Sequence, residues 1–263
     1  MERKLKVVSL FSGIGGFEKG LEKSNLNHEV VFASEIDRFA INTYSYNFSL
    51  KHMHGDIKQV NEKDIPDHDL LCAGFPCQSF SVAGKRKGFN DIRGTLFFDI
   101  VRIIKEKKPK YIFLENVKNL ISHDDGNTIK TILKNISECN YTFDITVINS
   151  SEAGVPQSRE RTYIVGVYNY STEKFEIDKR NQKINEIKTW ANANKLKTMN
   201  FFNNVNFDAK LKYINDILDD EVDSKYYLDS IKVADYLTTL EEKNMVSKKD
   251  RKIIKQFDLP KEV

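Results

Sequence analysis

The chain has 263 residues, 40% of them hydrophobic and 11% aromatic, enough to bury a sizeable core in one large or two smaller domains and to exclude wholesale disorder. Its longest apolar runs, around Val7 to Phe11 and Ile112 to Leu114, fall far short of the roughly 20 residues a bilayer demands, and Met1 to Lys6 leads straight into a strand-like segment without room for a signal peptide. A cytoplasmic protein with no membrane partner is expected, and the net charge of +3 announces no polyanion partner by composition alone.

Lys6 to Phe11 is a short β-branched run that breaks at Gly13-Ile14-Gly15-Gly16, so a strand, a glycine turn and a helix are predicted in succession. Glu29 to Ser34 reads as a second strand closed by Glu35-Ile36-Asp37, and a helix follows over Arg38 to Phe48 with apolar spacing through Phe39, Tyr44 and Phe48. Gly55-Asp56-Ile57 marks the end of a third strand. Asp69 to Gly74 and Tyr111 to Leu114 are continuous apolar runs of the kind buried on both faces of a parallel sheet. Between them Thr95 to Lys107 carries Leu96, Ile100, Ile103 and Ile104 on one helical face, and Pro109 closes that helix. A helix over Gly126 to Glu138 and strands near Phe143 to Ile148 and Arg161 to Val167 complete an alternation that predicts a doubly wound, mostly parallel α/β sheet. All 12 glycines lie between Gly13 and Gly166, so two domains are expected: residues 1–170, and a helical or irregular extension over 171–263.

Ligands of such sheets sit beyond the carboxyl ends of the strands, where the strand order reverses. There the glycine turn alone is compatible with an ordinary strand-to-helix connection. Glu35, about 20 residues later at a second strand end, suits a ribose diol, and Asp56 offers a carboxylate to an adenine amino group. The missing P-loop lysine argues against a triphosphate. Cys77 lies in the turn-forming Gly74-Phe75-Pro76-Cys77-Gln78 and has the exposure that a reactive thiol requires, whereas Cys72 and Cys139 read as core residues. No Cys or His set completes a metal site. Glu115, at a strand end opposite Cys77, suits a general acid or a hydrogen-bonding role. Arg159 and Arg161 are spaced to point the same way, and one of them can reach a base carbonyl.

Taken in order, FSGIGG, SEID, GDI, GFPCQSFS, ENVKN and QSRER resemble the motif series of the DNA cytosine-5 methyltransferases over residues 5 to about 168. The resemblance implies a Rossmann-like fold of the S-adenosylmethionine-dependent type. It implies a cofactor, S-adenosylmethionine, bound by Phe11, Gly13, Gly15, Glu35, Asp56 and Ile57, with Ile36 standing where a family member packs a tryptophan on the adenine. It further implies Cys77 as the nucleophile, with Glu115, Arg159 and Arg161 holding a cytosine flipped out of double-stranded DNA, and a loop over Ser81 to Arg93 closing on it. The family's target-recognition domain and C-terminal motifs have no counterpart in residues 171–263. The chain is therefore expected to be either the catalytic subunit of a split bacterial or phage modification enzyme, with a second chain carrying the recognition domain, or a truncated product. The alternatives are an inactive cofactor-binding remnant or decoy, and a tRNA cytosine-5 methyltransferase of the same fold.

Overall fold

The computed structural model describes residues 3–49, 53–76, 96–177 and 181–205, with isolated positions beyond. Among them, seven strands form one sheet in the order β3-β2-β1-β4-β5-β7-β6. The strands are β1 (Leu5–Leu10), β2 (His28–Ser34), β3 (Met53–His54), β4 (Leu70–Gly74), β5 (Tyr111–Val117), β6 (Tyr141–Asn149) and β7 (Glu160–Tyr168). The helices are α1 (Gly16–Lys23), α2 (Arg38–Asn47), α3 (Leu96–Lys107), α4 (Asn127–Glu138) and α5 (Gln182–Ala193). The α/β alternation legible in the sequence is thus present, and its predicted bounds shift by only a residue or a few.

The central strands are apolar on both faces because both are covered. Val8, Leu10, Leu71, Ala73, Ile112 and Leu114 join the main core with Phe97, Ile100, Ile103 and Ile104 of α3 and with Ile129, Ile132, Leu133 and Ile136 of α4. Their spacing of three and four along each helix turns one stripe onto the sheet. On the opposite face Val7, Leu70 and Cys72 pack with Phe17 and Leu21 of α1. The stripe read through α2 is narrower than its spacing suggests. Only Tyr44 is buried, its hydroxyl donating to the buried Glu18 of α1 at 3.1 Å, whereas Phe39 is 77% exposed.

Strand β7 is antiparallel to both neighbours and lies between β5 and β6. The chain therefore skips one position when it crosses from β5 through α4 to β6, and the short connection after Asn149 folds β7 back into the gap. The edge left on β6 is covered. Phe143 receives a backbone bond at its carbonyl from Met199 and gives one to Lys197, both at 3.0 Å, which pairs that part of the strand edge.

This cover shows how residues 171–205 are placed. Lys188 of α5 pairs with Asp144 of β6 at 2.9 Å with both side chains buried, and its ammonium lies 4.6 Å from the Phe175 ring centroid. One compact unit runs from Met1 to Lys212 and a second from Tyr213 to Val263, so the first stretch of the expected extension is built onto the sheet. No helix among the described residues is long and apolar enough to cross a membrane.

Candidate active site

The parallel strands β1, β2, β4 and β5 end along one edge of the sheet, and most of the sequence-predicted site residues collect there. Beyond Leu10 the backbone turns left-handed at Phe11, Gly13 and Gly15, with φ of 54°, 55° and 93°. Glycine is required at position 15 for a second reason, because a Cβ there would lie 2.1 Å from the Phe48 ring. Phe48, which sequence reasoning read only as part of a helical stripe, thus covers the loop backbone.

Glu35 has more tasks than its predicted one. Its Oε2 accepts from the Gly13 N–H at 2.9 Å, and its Oε1 accepts from the N–H groups of Ile36 and Asp37 at 2.8 and 2.9 Å. A carboxylate oxygen takes about two such bonds. Oε1 is filled, and Oε2 retains one acceptor position. Ile36 beside it is 73% exposed. Asp56 caps the 3₁₀ turn Ile57–Gln59 by accepting from the Lys58 N–H, and the Ile57 side chain is buried.

Two strands over, about 10 Å from β1 at the usual strand spacing, β5 presents Glu115. Gly74 pairs with Glu115 in register, and a Cβ on Gly74 would lie 3.4 Å from Glu115 Oε2, so the glycine leaves room for that carboxyl. The inserted β7 brings Arg161 to the same place, its Nε 2.9 Å from Glu115 Oε1. Burial pushes the Glu115 carboxyl above the usual carboxylate range, against the opposing pull of Arg161 and Arg159. Arg159 precedes β7 and is exposed, so of the two arginines it is Arg161 that points inward.

Asn116 is a residue the sequence did not single out. It is buried, its Nδ2 donates to the Phe75 carbonyl at 2.7 Å, and its Oδ1 accepts from the Val117 N–H. The end of β5 thereby holds the segment that leads out of β4. Cys77 follows two residues later and lies outside the described residues, as do Ser81 to Arg93, expected to close over the base. The other two thiols are buried, and burial pushes both up from the ordinary thiol range. Among the described residues no group of three or more His, Cys, Asp or Glu side chains is placed to hold a metal ion.

A family model described as C-5 cytosine-specific DNA methylase matches residues 5–259. The chain belongs to that family. It is 53% identical over 161 residues to the type II methyltransferase M.HhaI of Haemophilus parahaemolyticus, covering 61% of this chain and 48% of that protein. It is 42% identical over 243 residues to the orphan methyltransferase M.Rho11sI of Bacillus phage rho11s, covering 90% of this chain and 48% of the relative. The chain thus spans about half the length of these curated relatives. Among solved structures it resembles a DNMT2 mutant of Spodoptera frugiperda, with a TM-score of 0.62 and 26% identity over 86% of this chain and 63% of that one. The match agrees with the mostly parallel seven-stranded sheet described above.

Proposed function

We propose that the chain is the catalytic part of an enzyme that methylates carbon 5 of cytosine in double-stranded DNA, using S-adenosylmethionine, within a bacterial or phage modification system. The observation that carries this reading is the Glu115–Arg161 pair, held one strand away from the segment that leads to Cys77. The residues also fit the cofactor. Glu35 keeps an acceptor position for a ribose hydroxyl, and the loop at Gly13 and Gly15 offers bare backbone beside it. When bound, the cofactor supplies a methyl group made electrophilic by its sulfonium.

The protein's own residues make carbon 5 reactive. In this reading the Cys77 thiolate adds to carbon 6 of the flipped cytosine, and the displaced electron pair moves into the ring. Glu115, whose carboxyl burial pushes above the usual carboxylate range, faces nitrogen 3 and donates to it in its protonated form. Arg161, which has only donors, neutralises charge at oxygen 2. After methyl transfer, loss of the carbon 5 proton breaks the carbon–sulfur bond and releases Cys77. Arg159, exposed beside the pair, contributes positive potential toward the base or its phosphate. Sequence reading is assigned to the part of the relatives' length that lies outside the match.

The test is methyl transfer from labelled S-adenosylmethionine to a mixed-sequence duplex, by the purified chain alone and with a separately supplied polypeptide spanning the part of the relatives' length outside the match. Nucleoside analysis showing 5-methylcytosine supports the proposal. Methylation confined to nitrogen 4 of cytosine or nitrogen 6 of adenine, or no transfer under either condition, overturns it.

A further inference from the structure

Between β3 and β4 the chain makes two 3₁₀ turns, Ile57–Gln59 and Glu62–Asp64. Each is three residues long, and each is capped by the side chain just before it, Asp56 onto the Lys58 N–H and Asn61 onto the Lys63 N–H, both at 3.0 Å. Turns this short do not hold a fixed position by their own hydrogen bonds. Something else must decide where Asp56 stands.

Arg102 of α3 supplies that support, 45 residues away in sequence from the turn it touches. Its Nη2 donates to the Ile57 carbonyl at 2.6 Å, its Nη1 to Glu62 at 2.8 Å and its Nε to Asp99 at 2.9 Å. The guanidinium thus ties both turns to one helix of the core, and Asp99, on that same helix, fixes the fork from behind. The Ile57 side chain, 2% exposed, pins the same residue on its other side. A lysine ammonium is a point charge on a flexible stem and cannot meet three acceptors lying in a fork.

We propose that Arg102 is a positioning residue for adenine recognition. By clamping the Ile57 carbonyl it fixes the Asp56 carboxylate, an acceptor, and the Ile57 N–H, a donor, side by side. That order complements the 6-amino group and nitrogen 1 of adenine. It mismatches hypoxanthine, which carries a carbonyl and an N–H at those positions. The inference rests on the S-adenosylmethionine reading above and adds the device that gives the site its preference for adenine.

The experiment is calorimetry on the full chain with S-adenosylhomocysteine and with S-inosylhomocysteine, its 6-carbonyl counterpart. Wild type is expected to prefer the adenosyl compound by at least about tenfold, the scale of one lost polar contact. Arg102→Lys and Arg102→Gln should lose about tenfold in affinity for the adenosyl compound and little for the inosyl one, so that the preference approaches unity. Asp56→Asn should give the same loss of preference. A residue that merely supported the fold would lower the melting temperature and weaken both ligands equally. An unchanged preference in folded Arg102 variants therefore overturns the proposal. Should those variants not fold, Glu62→Ala removes the acceptor of one arm of the fork and must still lower the preference, and an unchanged ratio there overturns it equally. Wild-type protein that binds neither compound would instead overturn the cofactor reading, and this inference with it.

Discussion

Replacing Glu35 separates two tasks that one carboxylate performs. It accepts three backbone N–H groups, from Gly13, Ile36 and Asp37. The Ile36 and Asp37 amides are exposed and can rehydrate, whereas the Gly13 bond is partly buried. The stability cost of Glu35→Ala therefore falls mainly on the Gly13 bond, about 1–3 kcal/mol. The ribose hydroxyl loses its acceptor as well, and the glycine loop its tether, so affinity for S-adenosylhomocysteine should fall by about one to two orders of magnitude. Glu35→Gln divides these effects. Its carbonyl oxygen can still serve Ile36 and Asp37, but its amide group meets the Gly13 N–H donor to donor, while a ribose hydroxyl can still accept from it. Gln should thus destabilise much as Ala does and bind the cofactor product more tightly than Ala. Urea denaturation and calorimetry read the two quantities. Equal affinity of wild type and folded Glu35→Ala would remove Glu35 from the site.

Gly15→Ala places a Cβ where φ is 93° and the Phe48 ring is 2.1 Å away, so it should cost about 2–4 kcal/mol, part of it returned when Phe48→Ala is added. A full cost that Phe48→Ala leaves untouched would contradict the steric part of the argument. Because burial raises the Glu115 pKa, protonation of that group favours the folded state. Wild type should therefore gain stability relative to Glu115→Gln as pH falls through the raised value and lose that advantage as pH rises through it, which melting temperatures across a pH series would show. Lys188→Met leaves the buried Asp144 carboxyl of β6 without its cation, and an unfolding cost of about 3–5 kcal/mol is expected by urea denaturation. A cost near zero would mean that residues 171–205 are not held to the sheet by this pair.

The sheet was legible because its central strands are continuous apolar runs and α3 and α4 repeat their apolar residues at helical spacing. The usual doubly wound order of the first five strands holds, but the position of β7 within the sheet was not legible. Nothing local in Glu160–Tyr168 says that it inserts between β5 and β6, yet that insertion is what brings Arg161 to Glu115. Phe39 and Tyr44 show the limit of periodicity: both fit one stripe, but only Tyr44 reaches the core. The end of the first domain was read from glycine content, which does not report that Lys188 and the strand-like stretch Lys197 to Met199 dock onto β6. Glu35 stands out in the sequence by its distance from the glycine turn. Its bonds to three amides depend on loop geometry, and Asn116 reaches the Phe75 carbonyl only through strand pairing.

The central claim is that Cys77 forms a covalent bond to carbon 6 of cytosine. A duplex with 5-fluorocytosine at the target cannot lose a proton from carbon 5 after methyl transfer, so the adduct persists and is visible on a denaturing gel. With cofactor and a separately supplied polypeptide spanning the part of the relatives' length outside the match, the wild-type chain should be trapped. Cys72→Ala and Cys139→Ala should be trapped too, since burial keeps both thiols unreactive. Cys77→Ala should not be, and trapping of a folded Cys77→Ala protein would contradict the account.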